Sequence, residues 1–184
     1  MNQLPLTWSD LVGRFEVEDF KYLFFWGHSA QEGSITKACL SQWYPASFQV
    51  SGINYPSTEH FMMAEKARLF NDEPIRQRIL SCQSPAEAKK LGRQIANYDE
   101  QVWQQNRFKI VVTGNVAKFS QNQKLGDFLK QTQKRILVEA SPRDKIWGIG
   151  MAQSNPDAEN PSLWKGPNLL GFALMSARNQ IAAH

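Results

Sequence analysis

One long helical stretch most constrains how this chain can fold. Residues 57–133 carry four successive helical patterns, whereas the segments that look like strands lie before and after them. Because strands and helices do not alternate, the pattern argues against a doubly wound fold and favours a helix-rich α+β domain with a small β-sheet. The predicted strands are residues 19–26, a hairpin of residues 48–50 and 53–55 around Ser51-Gly52, and residues 135–139.

Capping residues predict where the helices begin. Ser57 can cap the first of the four, and Ser84-Pro85-Ala86-Glu87 is a capping box with proline at the first helical position. Asn97, with Glu100 three residues later, is a looser version of the same signal at the start of a long helix. The predicted helices cover about residues 57–70, 84–92, 97–119, 121–133 and 169–182, and residues 154–167 are predicted to form a surface loop.

Length and composition favour one ordinary globular domain. The 184 residues and the 42% hydrophobic fraction suit a single domain over residues 1–184. No apolar run approaches the roughly 18 residues of a membrane span, and residues 1–10 lack the basic start and apolar stretch of a secretory signal. We therefore expect a cytoplasmic protein with no membrane contact, and the sequence makes no prediction of its oligomeric state.

The placement of cysteine and histidine argues against a metal site. Cys39 and Cys82 lie far apart and in no paired motif, which favours packing roles over a disulfide or thiolate ligands. The three histidines, His28, His60 and His184, are scattered, and none has a partner four residues on. The sequence therefore predicts a site with no metal and no cofactor.

The positive charge is concentrated in the middle of the chain. The formal net charge is +4, and residues 58–150 hold sixteen Lys and Arg against ten Asp and Glu. This excess is explained either by a solvated basic surface or by a section that meets a phosphorylated ligand. No block of five like charges is present, so the chain lacks a basic arm for gripping duplex nucleic acid.

The first candidate site lies on the helix that follows the hairpin. Glu59 and Lys66 are seven residues apart, so both project from nearly the same line of a helix, with Met63 between them. Their Cα atoms would lie about 10 Å apart, which leaves room for a ligand between the head groups. The alternative is that Glu59 only stabilises the helix start, where the macrodipole favours a carboxylate, and that Lys66 is solvated.

The second candidate site is a loop after the last predicted strand. It carries an acid, Asp144, and an aromatic residue, Trp147, next to Gly148. Loops that leave strands often carry functional residues, a tryptophan can stack on a base, and a glycine lets the backbone come close. Equally, Trp147 could fill the core and Asp144 could cap a turn.

Two further residues are candidates for ligand contacts. Trp43 is one of six tryptophans and lies in a polar context, which makes it a better stacking candidate than a core residue. Arg93 could bind a phosphate in bidentate fashion or simply end a helix. Spacing alone thus predicts an α+β domain with a carboxylate-lined, aromatic pocket.

Six segments go further, because together and in this order they resemble the NADAR family, also called YbiA-like. The resemblance covers about residues 20–181. Its most specific combination is Thr58-Glu59-His60 with Ala64-Glu65-Lys66, followed by Trp147-Gly148 and Asn168-Leu169-Leu170-Gly171. The segments are residues 40–45, 55–66, 88–93, 114–122, 137–148 and 166–171.

The resemblance implies hydrolysis of an N-glycosidic bond between C1 of ribose and an exocyclic amine of a base. It implies first the ribosylamino-pyrimidine phosphates of early riboflavin biosynthesis as substrates. The alternative is removal of ADP-ribose from guanine in nucleic acid, and a further alternative is a non-catalytic module that binds ADP-ribose or nucleotides. The implied partner is accordingly a small phosphorylated ribosyl-base compound or an ADP-ribosylated nucleic acid.

The resemblance also implies roles for individual residues. Glu59 is the first choice, and Asp144 the second, for stabilising the cationic sugar or activating water. Lys66 would hold phosphate or ribose, or would trap a ring-opened ribose as a Schiff base. Trp103 and Trp147 would stack on the base, and Arg93 and Asn168 would contact phosphate or ribose. Residues 28–39 and 154–161 are longer than in compact members, which affects substrate choice at the rim.

Overall fold

The computed structural model of the chain describes residues 4–29 and 34–183. Its helices are α1 (Trp8–Arg14), α2 (Thr58–Leu69), α3 (Glu73–Ser81), α4 (Pro85–Gly92), α5 (Glu100–Gln121), α6 (Gln123–Gln131) and α7 (Leu169–Ala182). Its strands are β1 (Tyr22–Phe25), β2 (Phe48–Val50), β3 (Ile53–Tyr55) and β4 (Ile136–Glu139). Short 3₁₀ turns cover Lys37–Leu40, Pro156–Glu159 and Pro161–Leu163. The predicted helix-rich α+β class is confirmed.

The strands form two separate pairs within the described residues. Strands β2 and β3 are antiparallel around the predicted turn, in which Ser51 and Gly52 both have positive φ. Strands β1 and β4 are parallel, with Phe25 opposite Glu139, although more than a hundred residues of chain separate them. Because parallel strands end at the same edge, the loops after β1 and β4 leave side by side.

Helix α7 forms the centre of the core, against α5 and β4. Its apolar residues are buried on nearly every side, including Phe172, Leu174 and Met175. A helix that is apolar all round is stable only when its neighbours cover it. None of the helices in the described ranges is long and apolar enough to cross a membrane.

Three features differ from the sequence-based predictions. Helices α1 and α3 are additional to the predicted set, and each begins at a side-chain cap, Thr7 and Asp72 respectively. The long helix starts later than predicted, because Asp99 rather than Asn97 caps it and Asn97 is in the left-handed region at φ 54°. The predicted loop of residues 154–167 contains two 3₁₀ turns. The long segment of residues 28–39 falls partly on residues 30–33, outside the described residues.

Candidate active site

A cavity of about 690 Å³ opens between α2, α4 and the loops that follow β1 and β4. This volume is within the range of small-molecule sites. Fifteen of its lining residues are charged, polar or aromatic, and nine of these are candidates for the chemistry. They are Gln42, Trp43, Glu59, Lys66, Lys89, Trp103, Glu139, Asp144 and Trp147.

The start of α2 places Glu59 on the wall of this cavity. Ser57 caps the helix by accepting a hydrogen bond from the His60 N–H, as predicted. The Glu59 N–H and the Thr58 hydroxyl both donate to the carbonyl of Gln42, at 3.0 and 3.1 Å. The first turn of α2 is therefore tied to the segment that carries Gln42 and Trp43.

Glu59 is a buried acid with spare hydrogen-bonding capacity. Its side chain is 3% exposed, and its Oε1 has no hydrogen-bond partner among the described residues. Burial is the main cause that raises the pKa of Glu59 to about 7; the Asp144 charge acts in the same direction, whereas Lys89, Trp43 and Arg93 favour the anion. A carboxyl whose pKa lies near neutrality can accept or donate a proton during a reaction.

Lys66 lies farther along α2, on the same line as Glu59 and Met63, and all three line the cavity. Its Nζ donates to the carbonyl of Gly92 at 3.1 Å and lies 4.2 Å from the Tyr98 ring centroid. The centroid of Trp103 is 5.5 Å away. Burial lowers the pKa of Lys66, and the Glu100 charge acts in the opposite direction. The aromatic faces also favour the charged form of the amine.

Asp144 both caps a turn and lines the cavity, so the two interpretations of this residue are not exclusive. Its Oδ1 accepts hydrogen bonds from the N–H groups of Ile146 and Trp147, at 2.9 and 2.8 Å. Its own N–H donates to the Ser141 hydroxyl at 3.2 Å. This turn holds Trp147 half-buried, with part of the ring on the cavity wall.

The predicted aromatic residues converge on the cavity from three directions. Trp43 comes from the segment before β2, Trp103 from α5 and Trp147 from the loop after β4. The ring of His28 lies 5.4 Å from that of Trp43, and Lys89 Nζ lies 5.9 Å from the same indole. The cavity therefore combines flat apolar walls with a cation at one side.

Three predicted contact residues do not line the cavity. Asn168 is fully buried, and both ends of its amide bond the backbone of β4, with Oδ1 accepting from Glu139 N–H and Nδ2 donating to Leu137 C=O. Arg93 is exposed at the end of α4 and reaches Glu59 only through its charge. Gly148 is needed inside the fold, because a Cβ there would lie 2.7 Å from the carbonyl oxygen of Glu139.

The cavity is also lined by residues that the sequence had not singled out, and three of them are important for its chemistry. Lys89 projects from α4 four residues before Arg93, and Gln42 precedes Trp43 with its buried Nε2 unpaired within the described chain. Glu139 is the last residue of β4. The sequence offered a signal for Glu139 alone, because this acid ends an otherwise apolar strand. A charge there lowers stability unless it has a partner or a function.

A buried lysine supports the segment that leads to Gln42 and Trp43. Lys118 of α5 is completely buried and donates to the carbonyls of Cys39 and Ser41, at 2.7 and 2.9 Å. Burial lowers its pKa to about 7. Since even a neutral lysine can donate two hydrogen bonds, Lys118 anchors this wall of the cavity.

Comparisons with known proteins agree with this architecture. The NADAR domain model matches residues 24–182. N-glycosidase R617 of Acanthamoeba polyphaga mimivirus is 39% identical over 169 residues, which cover 89% of this chain and 98% of that protein. Riboflavin biosynthesis protein VVA0006 of Vibrio vulnificus is 31% identical over 79% of this chain, although the match spans only 36% of that longer protein.

N-glycosidase YbiA of Escherichia coli is 31% identical over 73% of this chain and 75% of that protein. The NMR structure of YbiA superposes with a TM-score of 0.72 at 26% identity, and covers 98% of this chain and 94% of that one. These relatives confirm the expected fold and the assignment to the N-glycosidases. The chain belongs to the NADAR domain family.

Proposed function

We propose that this cavity hydrolyses the bond between C1 of a phosphorylated ribose and the exocyclic amine of a base, with Glu59 as the central catalytic group. The observation that carries the proposal is the buried Glu59 carboxyl, whose Oε1 is unpaired within the described residues and whose side chain lines the cavity. A buried acceptor without a partner lowers the stability of the fold, and such groups are found mainly where a substrate binds them.

The reaction builds positive charge on C1 and the ring oxygen as the base departs. An ionised Glu59 stabilises that charge, and its free oxygen can take a proton from the attacking water. Asp144 adds a second negative charge at the same wall. Side chains of this protein carry every step of the scheme. We also propose that the protein acts in the cytoplasm.

Lys66 serves the ribose or phosphate end of the substrate in this scheme. Lys66 follows Glu59 by seven residues on the same side of α2, so the cation and the carboxyl line the cavity about two helical turns apart. The lowered pKa of Lys66 also makes more neutral amine available, which is the form that could form a Schiff base with a ring-opened ribose. Reduction with borohydride would distinguish the two roles of Lys66, because it converts only a Schiff base into a stable adduct.

The first substrate candidates are the ribosylamino-pyrimidine phosphates of early riboflavin biosynthesis. A pyrimidine ribotide suits a 690 Å³ cavity with four tryptophans among its lining residues. The relative VVA0006, by its name, acts in riboflavin biosynthesis. Lys89 and Lys66, both on the cavity wall, supply positive charge for one phosphate.

One feature favours the second candidate, removal of ADP-ribose from guanine in nucleic acid. Trp26 lines the mouth of the cavity with 60% of its surface exposed. An exposed indole beside a site offers a stacking face for a base next to the one that reacts. A small ribotide would not need this face, whereas a strand would.

The test is to offer both substrates to the wild-type protein and to Glu59→Gln, and to measure released base by chromatography. We expect Glu59→Gln to lower turnover by about a hundredfold or more, which is typical for removal of a charge that stabilises the transition state. Glu65→Gln, on the same helix and paired with Arg68, is the matched control and should keep wild-type turnover. Full activity of Glu59→Gln would reject this residue as the catalytic group.

A further inference from the structure

The backbone of Glu139 is held by hydrogen bonds at both its N–H and its carbonyl. Its N–H donates to Asn168 Oδ1 at 2.9 Å, and its carbonyl accepts from the Ile149 N–H at 3.0 Å. It ends β4 opposite Phe25 of β1, and both residues line the cavity. The direction of its side chain is therefore set by the parallel strand pair and by the start of α7.

The Glu139 carboxyl does not stabilise the fold through a hydrogen bond between its buried Oε2 and the described chain. Its Oε2 is buried and lacks a hydrogen-bond partner there, as does Oε1 of Glu59, which lines the same cavity. Buried polar atoms are nearly always paired, so an unpaired oxygen on each of two acids that line the same cavity calls for a ligand or a proton. A carboxyl that only supported the fold would bond the surrounding backbone, as Asp144 does.

We propose that Glu139 is the acid that protonates the departing amine, with Glu59 as its ionised partner. This inference rests on the proposed function and assigns the second half of the same reaction. It adds a catalytic residue that neither the spacing nor the resemblance had assigned.

The charges around the two acids separate their tasks. Glu139 faces Glu59 from α2 and Asp144 from the following loop, and only Lys89 of α4 opposes them. Glu59 instead has Lys89, Arg93 and Trp43 in favour of its anion. Burial, together with the charges of Asp144 and Glu59, raises the pKa of Glu139 to about 8, so the two acids retain a proton at neutral pH. We place this proton on Glu139 because Lys89 alone favours its anion, whereas three groups favour the anion of Glu59. The other titratable or charged groups on the cavity wall are His28, Lys66 and Arg143.

The proton balance of one turnover closes within the pair. As the C1–N bond breaks, its electron pair goes to the nitrogen, which takes the proton of Glu139. Water adds to C1 and gives a proton to the Glu59 carboxylate. The products are a free amine and a ribose with a hydroxyl at C1, and the pair resets when the proton passes from Glu59 back to Glu139.

The test compares Glu139→Gln with the wild type, using kcat between pH 5.5 and 9.5. The wild type should give a bell-shaped profile, because activity needs one proton on the pair. We expect Glu139→Gln to lose the alkaline limb and to lower kcat by about a hundredfold, within the range for removal of a general acid. A substrate whose leaving amine is less basic should recover most of that loss, because it departs without protonation.

A control variant, a spectroscopic measurement and a second substitution complete the test. Glu16→Gln removes an exposed acid and should leave the profile unchanged. The infrared carbonyl band of a protonated carboxyl should be present in the wild type at pH 7 and weaker in Glu139→Gln. If Glu139→Gln fails to fold, Glu139→Asp replaces it, and reduced kcat with a retained alkaline limb is then expected.

The inference is overturned if a folded Glu139→Gln or Glu139→Asp keeps the wild-type kcat with the whole pH profile. That result leaves the proposed function intact, because wild-type protein would still release base. Failure of the wild type to release base from either substrate would instead refute the proposed function itself.

Discussion

The side-chain oxygen of Asn168 accepts a hydrogen bond from the backbone N–H of Glu139 at 2.9 Å. The amide nitrogen of the same Asn168 donates to the carbonyl of Leu137 at 2.8 Å. One side chain therefore binds two backbone groups of β4 that are two residues apart. Asn168 also adopts the left-handed conformation at φ 54°, which asparagine tolerates better than most residues. The residue that the resemblance assigned to substrate is thus placed to orient an acid.

Asn168→Ala should therefore change kcat more than KM. We expect a loss of roughly 2–4 kcal/mol in the free energy of unfolding, since two backbone groups lose their partners, and a fall in kcat as Glu139 moves. Steady-state kinetics with denaturant unfolding would measure both. Asn71→Ala is the matched control, because Asn71 is exposed and has nearly the same backbone conformation at φ 56°. A rise in KM alone would indicate a substrate contact instead.

Glu59→Gln should stabilise the protein in a pH-dependent manner. The folded-state pKa of about 7 lies above the ordinary glutamate value of 4.5, so the unfolded chain ionises first and stability falls as pH rises between these values. Removing the ionisation cost should raise the free energy of unfolding by roughly 1–3 kcal/mol at pH 8 and by much less at pH 4.5.

Thermal unfolding of both proteins at pH 4.5, 6 and 8 would measure this effect. The exposed-site variant Glu16→Gln should show no such trend. An equal Tm difference at all three pH values would contradict the raised pKa and leave only a packing effect.

Gly92→Ala should push Met63 toward the substrate. A Cβ at Gly92 would lie 2.1 Å from Met63 Sδ, and Met63 lines the cavity. We expect the flexible thioether to move into cavity space, which would raise KM, together with a loss of about 1–3 kcal/mol in stability for overpacking. Gly13→Ala, with nothing within 4 Å of its new Cβ, should lack both effects.

The double variant Gly92→Ala/Met63→Ala tests whether the two residues act through this contact. Its KM should return toward that of Met63→Ala alone, because the crowding atom is gone. Strictly additive effects on KM would place the cause of the Gly92→Ala defect elsewhere.

Lys89→Ala should weaken substrate binding more than Arg93→Ala. Lys89 lines the cavity, whereas Arg93 is exposed outside it. Loss of a charge-assisted contact to phosphate should raise KM by about tenfold or more, and less so at high salt. Measuring KM at two ionic strengths for both variants would check this, and a larger effect at Arg93 would restore the sequence-based assignment.

Local sequence signals determined the elements of this protein wherever the interactions are short-range. The caps Ser57 and Ser84, the Ser51-Gly52 turn and the extent of α7 were predicted because each depends on backbone hydrogen bonds and conformations within a few residues. The line of Glu59, Met63 and Lys66 was likewise predictable, since helical geometry alone sets it.

Only the tertiary structure decided which side chains share the cavity. Glu139 reaches it because β4 pairs in parallel with β1, and Asn168 is withdrawn from it because its amide is consumed by β4. Lys89 faces the cavity and Arg93 does not, although both lie near the end of α4. Burial then shifts the proton affinities of Glu59 and Glu139, and this shift depends on desolvation and charges from elements distant in sequence, which local spacing does not encode.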